Sequence, residues 1–190
     1  MQTKKFVDIY LESNPNPNSM KFVFNFMLLP EGMHLDFPDQ ESAEGSPLAY
    51  ELFEIPYVKR VFFMSNFVTI TKDEEKEWTE ISAELKSFLK EYFEEGKPLM
   101  IEDVMDNDVH DDDPEVVKKI KSVLNEYIRP AVEQDGGAIR FHSYVDGVVK
   151  VLLQGSCSGC PSSTITLKAG IENLLRRMVP EVTSVEAEGI

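Results

Sequence analysis

"GGAIRFHSYVDGVVKVLLQGSCSGCPSSTITLK", residues 136–168, carries the strongest local signals in the chain and both of its cysteines, Cys157 and Cys160. Asp146-Gly147, set between two runs of β-forming residues, predicts a tight hairpin, because both residues tolerate the positive φ that a two-residue turn requires. The second strand is expected to end near Gln154. A helix then runs from about Ser163 to Met178 with Ile165, Ile171, Leu174, Leu175 and Met178 inward, and "VTSVEA" closes the chain as a last strand. Upstream, Asp113 and Pro114 read as N-cap and first residue of a helix whose apolar face is Val116, Val117, Ile120, Val123, Leu124, Tyr127 and Ile128. Pro130 kinks or ends that helix by removing a backbone donor. The resulting order, αββαβ, describes a compact α+β domain of roughly 75 residues.

The front of the chain predicts a second small domain. "FVDIYL" alternates as a strand does, "NPNPNS" turns it, and "MKFVFNFML" is a second strand with Phe22, Phe24 and Phe26 on one face. A polar loop over "PEGMHLDFPDQESAEGS" leads to a short helix at "PLAYELFEI", with Ser46 as N-cap and Pro47 at the first helical position. "VKRVFFM" and "FVTITK", separated by Ser65-Asn66, form a hairpin. A long helix from about Asp73 to Glu95 carries Trp78, Ile81, Leu85, Phe88, Leu89 and Tyr92 at helical spacing, with Gly96 stopping it. The fold class is therefore α+β in two small domains, an N-terminal ββαββα unit over residues 1–100 and the αββαβ unit over 114–190. An acidic linker, 101–113, joins them. Its "EDVMDNDVHDDDP" is charged enough to repel itself into an extended, solvated segment, and it fails the calcium-loop template, which needs Gly and Glu where Asp111 and Val117 stand.

Composition narrows the class of protein. With 42% hydrophobic and 28% charged residues the chain has the make-up of a globular protein, and no run approaches the ~18 apolar residues of a membrane span. The first residues, "MQTKKFVDIYLESN", match neither a secretory signal nor an Arg-rich transit peptide, so a cytoplasmic location is expected. The net charge of -15 is uneven: residues 1–95 hold 9 basic against 18 acidic side chains, 96–114 hold 1 against 7, and 115–190 hold 9 against 9. With no basic stripe, neither nucleic acid nor a membrane is an expected partner.

Two cysteines in 190 residues do not make a disulfide scaffold, so Cys157 and Cys160 are expected to be reduced and available for metal or redox chemistry. They sit between a strand end and a helix start, where the positive end of the helix dipole favours thiolate, the form that both binds metal and attacks disulfides. A dithiol redox pair, a zinc site and an iron-sulfur site all remain open at this level. Metal binding raises a counting problem, since a closed zinc site or a common iron-sulfur cluster takes four protein ligands. The chain has no third cysteine, and its histidines, His34, His110 and His142, fall in a loop, the linker and a strand. The economical source of two more thiolates is the same loop of a second chain related by a two-fold axis. Gly155, Ser156, Ser158 and Gly159 are small enough to let two backbones approach a shared, exposed site.

"IRPAVEQDGGAIRF", "GVVKVLLQGSCSGCPSSTITLKAGIENLLRRMVPEV" and "TSVEA" closely resemble the Nfu-type domain, the C-terminal module of NifU-like iron-sulfur cluster scaffold and carrier proteins. "NPNPNSMKFVFNFML", "SPLAYELFEI" and "VKRVFFMSNFVTITK" resemble the N-terminal domain that accompanies it. The resemblance implies a [4Fe-4S] cluster bridging two subunits, with ligands that fall on Cys157 and Cys160; [2Fe-2S] or zinc are the alternatives. It further implies a homodimer when cluster-bound, a cluster donor scaffold upstream and apo iron-sulfur proteins as recipients; the front domain is expected to contact those recipients, and no enzymatic turnover is expected. Ala138 departs from the family, which commonly has an acidic residue after the two glycines, a difference expected to touch only local hydrogen bonding.

Overall fold

Strands and helices form where hydrophobic period and turn chemistry agree, and the computed structural model describes them over residues 6–101, 113–158 and 161–189, the side chains of 161–163 excepted. The acidic stretch 102–112, with His110, lies outside the described residues, as do Gly159 and Cys160. The chain divides into two compact units, Met1–Met105 and Asp106–Ile190.

In the first unit, β1 (Ile9–Ser13), β2 (Ser19–Phe24), β3 (His34–Phe37), β4 (Val58–Met64) and β5 (Phe67–Lys72) form one antiparallel sheet in the order β1-β2-β5-β4-β3. Helices α1 (Pro47–Phe53) and α2 (Trp78–Glu94) supply Leu48, Leu52, Ile81, Leu85 and Leu89 to a core that includes Phe22, Phe24, Phe63 and Ile70 of the sheet. Ser46 caps α1 as expected, its hydroxyl accepting the Ala49 N–H at 3.3 Å. The expected ββαββα order is present with one strand added. β3 lies within the stretch read as a polar loop, and its pairing with β4 brings the Asp36 carboxylate to the Arg60 guanidinium as an ion pair with a nearly buried carboxylate. Four residues with one charge carry too little period to announce a strand; the partner strand makes it one. Helix α2 also starts later than the spacing suggests. Asp73 first accepts the Glu75 N–H at 3.0 Å in a side-chain turn that competes with helix.

The second unit begins with α3 (Glu115–Val123), a π turn at Leu124–Ile128 and α4 (Arg129–Gln134). Pro130 is thus accommodated by widening the turn before it, and it sits in the first turn of α4, where its missing N–H costs no intrahelical bond. Pro114, not Asp113, takes the N-cap of α3; the Asp113 carboxylate instead meets Lys121 Nζ at 2.6 Å. Strands β6 (Gly137–Val145) and β7 (Val148–Gly155) form the expected hairpin, with Asp146 at φ 49 and Gly147 at φ 83. Helix α5 (Pro161–Met178) then crosses over to β8 (Ser184–Gly189), which pairs parallel to β7, so the order is αββαβ with its first helix in two pieces.

The inward face of α5 needs correction. Ile171 and Leu175 are fully buried and Leu174 packs against the core, but Ile165 is 72% exposed and Met178 45%. At about 100° per residue Ile165 lies about 120° around the helix from Ile171, and Leu167 takes the sheet-facing place in that turn. Beyond Met178, the buried Val179 continues the helical bonding to the Leu175 carbonyl at 2.7 Å and fills the core position at that end.

Candidate functional site

The cysteine loop is positioned by the far end of the β6–β7 hairpin. Counting outward from Asp146-Gly147 would set Gly137 opposite Ser156. A register shift between Phe141 and Ser143 removes one residue from the ladder, so Gly137 pairs with Gly155. Gly155, at φ 65, reverses the chain as the strand ends, a conformation that a side chain disfavours.

The reversal folds residues 156–158 back over the junction between α4 and β6. The Ser156 N–H donates to the Gly136 carbonyl at 3.4 Å, the Ser156 hydroxyl donates to the Asp135 carbonyl, and the Ser158 N–H donates to the Gly155 carbonyl at 3.1 Å. Ser156 is almost wholly buried. Cys157 is only 6% exposed and belongs to the same hydrophobic cluster as Ile139, Leu153 and Ile171. Its sulfur fits there because Gly137 has no side chain. A Cβ at that position would stand 2.9 Å from Cys157 Sγ and 2.6 Å from the Gln154 carbonyl oxygen. Ala138, the residue that departs from the family pattern, is buried opposite Gln154, a place where a small apolar side chain needs no hydrogen-bond partner.

Helix α5 starts at Pro161, which suits the first turn of a helix, so an N-terminal helix end lies directly after the loop. Of the two cysteines singled out by the sequence, Cys157 is in this buried turn, and Cys160 falls outside the described residues. Neither described histidine is part of the loop. His34 is on β3 of the first unit with its ring stacked 5.8 Å from that of Phe62, and His142 is exposed at the register shift in β6. Among the described residues, no three or more His, Cys, Asp or Glu side chains gather as a metal site would require.

Two contributors escaped the sequence reading, Ser156 as a hydrogen-bonding anchor and Gly137 as a close-approach residue. The double glycine at 136–137 was the available signal, but its pairing with Gly155 depends on a bulge that nothing in the local sequence marks.

Comparison with known proteins divides the chain as the fold does. The family described as "Scaffold protein Nfu/NifU N terminal" matches residues 9–96, and the family described as "NifU-like domain" matches residues 120–186. A Drosophila persimilis protein named "NFU1 iron-sulfur cluster scaffold homolog, mitochondrial" is 45% identical over 185 residues, 96% of this chain and 66% of that protein. Its namesake in Drosophila ananassae is 44% identical over 180 residues, 94% of this chain and 63% of that one. The chain therefore spans a little under two thirds of the length of these relatives. Among solved structures, that of a NifU-like protein from Saccharomyces cerevisiae covers 54% of this chain and 92% of its own, with a TM-score of 0.45 and 22% identity.

Proposed function

Because the chain belongs to the Nfu family of iron-sulfur cluster scaffold proteins, an Nfu N-terminal domain followed by a NifU-like domain, we propose that it carries a [4Fe-4S] cluster between two protomers and passes it to apo-proteins. Cys157 and Cys160 of each protomer are the ligands. The observation that carries this reading is one of ligand supply. Each chain owns two cysteines, and the described residues gather no further set of ligands, so a four-thiolate site is completed by a second copy. The proposed domain limits are 1–100 and 114–190, with 101–113 as the linker.

The cluster is cargo, so the chemistry is ligand exchange without turnover. An acceptor thiolate forms an Fe–S bond as the bond to Cys157 or Cys160 breaks, and the dimer loosens as the cluster leaves. The partners in this scheme are a donor scaffold, apo iron-sulfur recipients and a second copy of the chain. A cytoplasmic location is part of the proposal; the location printed in the relatives' names, mitochondrial, is the alternative outcome of a cell-fractionation blot.

Anaerobic reconstitution with iron and sulfide tests the proposal. The expected product is a brown dimer with about four iron and four sulfide ions per pair of chains. Cys157→Ala and Cys160→Ala should each abolish colour and dimer together while circular dichroism is unchanged. A colourless monomer would defeat the carrier reading; a colourless, chelator-sensitive dimer would assign zinc, and reversible two-electron chemistry in an iron-free monomer would assign a dithiol redox role.

A further inference from the structure

A cysteine that must bond iron shared with a second chain needs its sulfur at the protein surface, and Cys157 is not there. It is 6% exposed, packed in the core of the second unit, with its sulfur against the backbone of Gly137. We propose that Ser156 is a latch that holds Cys157 in this protected pose, and that the loop 155–158 must open locally before the sulfur can take up a cluster. The inference rests on the carrier reading only in naming Cys157 as a ligand.

The geometry identifies the latch. Ser156 is the neighbour of Cys157 and is tied to the α4–β6 junction through its N–H to the Gly136 carbonyl at 3.4 Å and through its hydroxyl to the Asp135 carbonyl. Both ties run to a segment some twenty residues away in sequence, so they fix the loop against the fold and not against itself. Gly155 supplies the pivot. Its φ of 65 marks the point where the chain leaves the strand, and a residue without a side chain turns there at low cost. Before the pivot, the ladder between β6 and β7 holds through the Gly137–Gly155 pair, and after the loop α5 begins at Pro161. An opening confined to residues 156–158 swings Cys157 outward while the sheet and the helix persist. Openings of this size belong to the low end of the local stability range, well below global unfolding. The cluster-free protein thereby keeps one of its two ligands from adventitious oxidation and metals, and cluster binding draws on the open population.

Thiol labelling of the cluster-free full chain tests this, using Cys160→Ser so that Cys157 is the one remaining thiol. An aromatic disulfide reagent is added under anaerobic conditions across a urea series. The latched protein should react at least about tenfold more slowly than the urea-unfolded chain, at a rate flat in urea below the unfolding transition, the signature of local opening. Adding Ser156→Ala should raise that flat rate about fivefold to thirtyfold, the effect of removing one buried hydrogen bond. Adding Leu175→Ala instead, which cuts a cavity elsewhere in the same core, should lower global stability and leave the flat rate alone.

Labelling of the native protein at the speed of the unfolded chain would overturn the proposal. So would an unchanged rate in Ser156→Ala, or an equal acceleration by Leu175→Ala. If Ser156→Ala does not fold by circular dichroism, the urea dependence of the parent decides, and a rate that climbs with the slope of global unfolding rejects a local latch. The outcome separates from that of the carrier reading, because no iron is present. Slow, flat labelling in a chain that never binds a cluster keeps the latch and removes the carrier, and a brown dimer from a chain whose Cys157 labels at full speed does the reverse.

Discussion

Replacing Gly137 by alanine asks whether the sulfur of Cys157 is packed as tightly as the geometry states. The added Cβ would lie 2.6 Å from the Gln154 carbonyl oxygen, 2.9 Å from Cys157 Sγ and 3.2 Å from the Cys157 nitrogen. The first two contacts must lengthen by about half an ångström or more to reach ordinary van der Waals separation. Neither neighbour yields cheaply. Gln154 is on β7, paired with Ala138, and Cys157 is held through Ser156. Gly137 is not among the positive-φ glycines, so alanine meets no backbone penalty there and the cost is purely steric. Overpacking of a well-filled core costs about 1–3 kcal/mol, and the strain is relieved most directly by pushing the cysteine loop outward. Urea unfolding followed by circular dichroism measures the loss, and the fluorescence of Trp78, the one tryptophan, reports the first unit separately. With Cys160→Ser in place, thiol labelling measures the displacement: Cys157 should react faster at zero urea. A Gly137→Ala protein within about 0.5 kcal/mol of the parent, with unchanged labelling, would refute the packing argument.

The same substitution at Gly170 should act with the opposite sign. Gly170 is in α5 with nothing within 4 Å of an added Cβ, so Gly170→Ala should stabilise the chain by about 0.5–1 kcal/mol in the same urea assay. Ile171→Ala, at a fully buried site, should cost about 2–5 kcal/mol, whereas Ile165→Ala, 72% exposed, should stay within about 0.5 kcal/mol; the pair tests which face of α5 meets the sheet. Burial pushes the Tyr57 and Tyr92 phenols up to about 12, helped by the Glu84 hydrogen bond at Tyr57 and by the charge of Glu51 near Tyr92. Folding thus favours the protonated phenols, so their stabilising contribution is complete below the ordinary value of 10.0 and is lost as pH rises toward 12. Urea midpoints should fall across that window, with a late phenolate absorbance phase that shrinks in Tyr57→Phe and Tyr92→Phe.

Much of the architecture was legible because its signals are local. Asp146-Gly147 marks its hairpin through the dihedrals those two residues accept, Ser46-Pro47 marks the start of α1, and Gly96, at φ 71, ends α2 as its place after the apolar stripe suggested. Misreadings fall where a partner distant in sequence decides. Asp113 has the side chain of a cap, but Lys121, two helical turns on, competes for it. "HLDF" becomes a strand only because β4 lies beside it and Arg60 meets Asp36. Ile165 reads as core by composition and is turned outward because the sheet under α5 accepts Leu167 and Ile171.

The cysteine loop shows the same division in one place. Spacing alone sets the two thiols between a strand and a helix, flanked by small residues, and counting shows that these 190 residues hold two of the four thiolates such a site takes. Those conclusions follow from composition, spacing and coordination number. That Cys157 is buried, that Ser156 ties the loop down and that Gly137 leaves room for the sulfur is legible in three dimensions alone. These depend on a bulge at His142 that moves the ladder by one residue, and a register is a property of two strands together, written in neither alone.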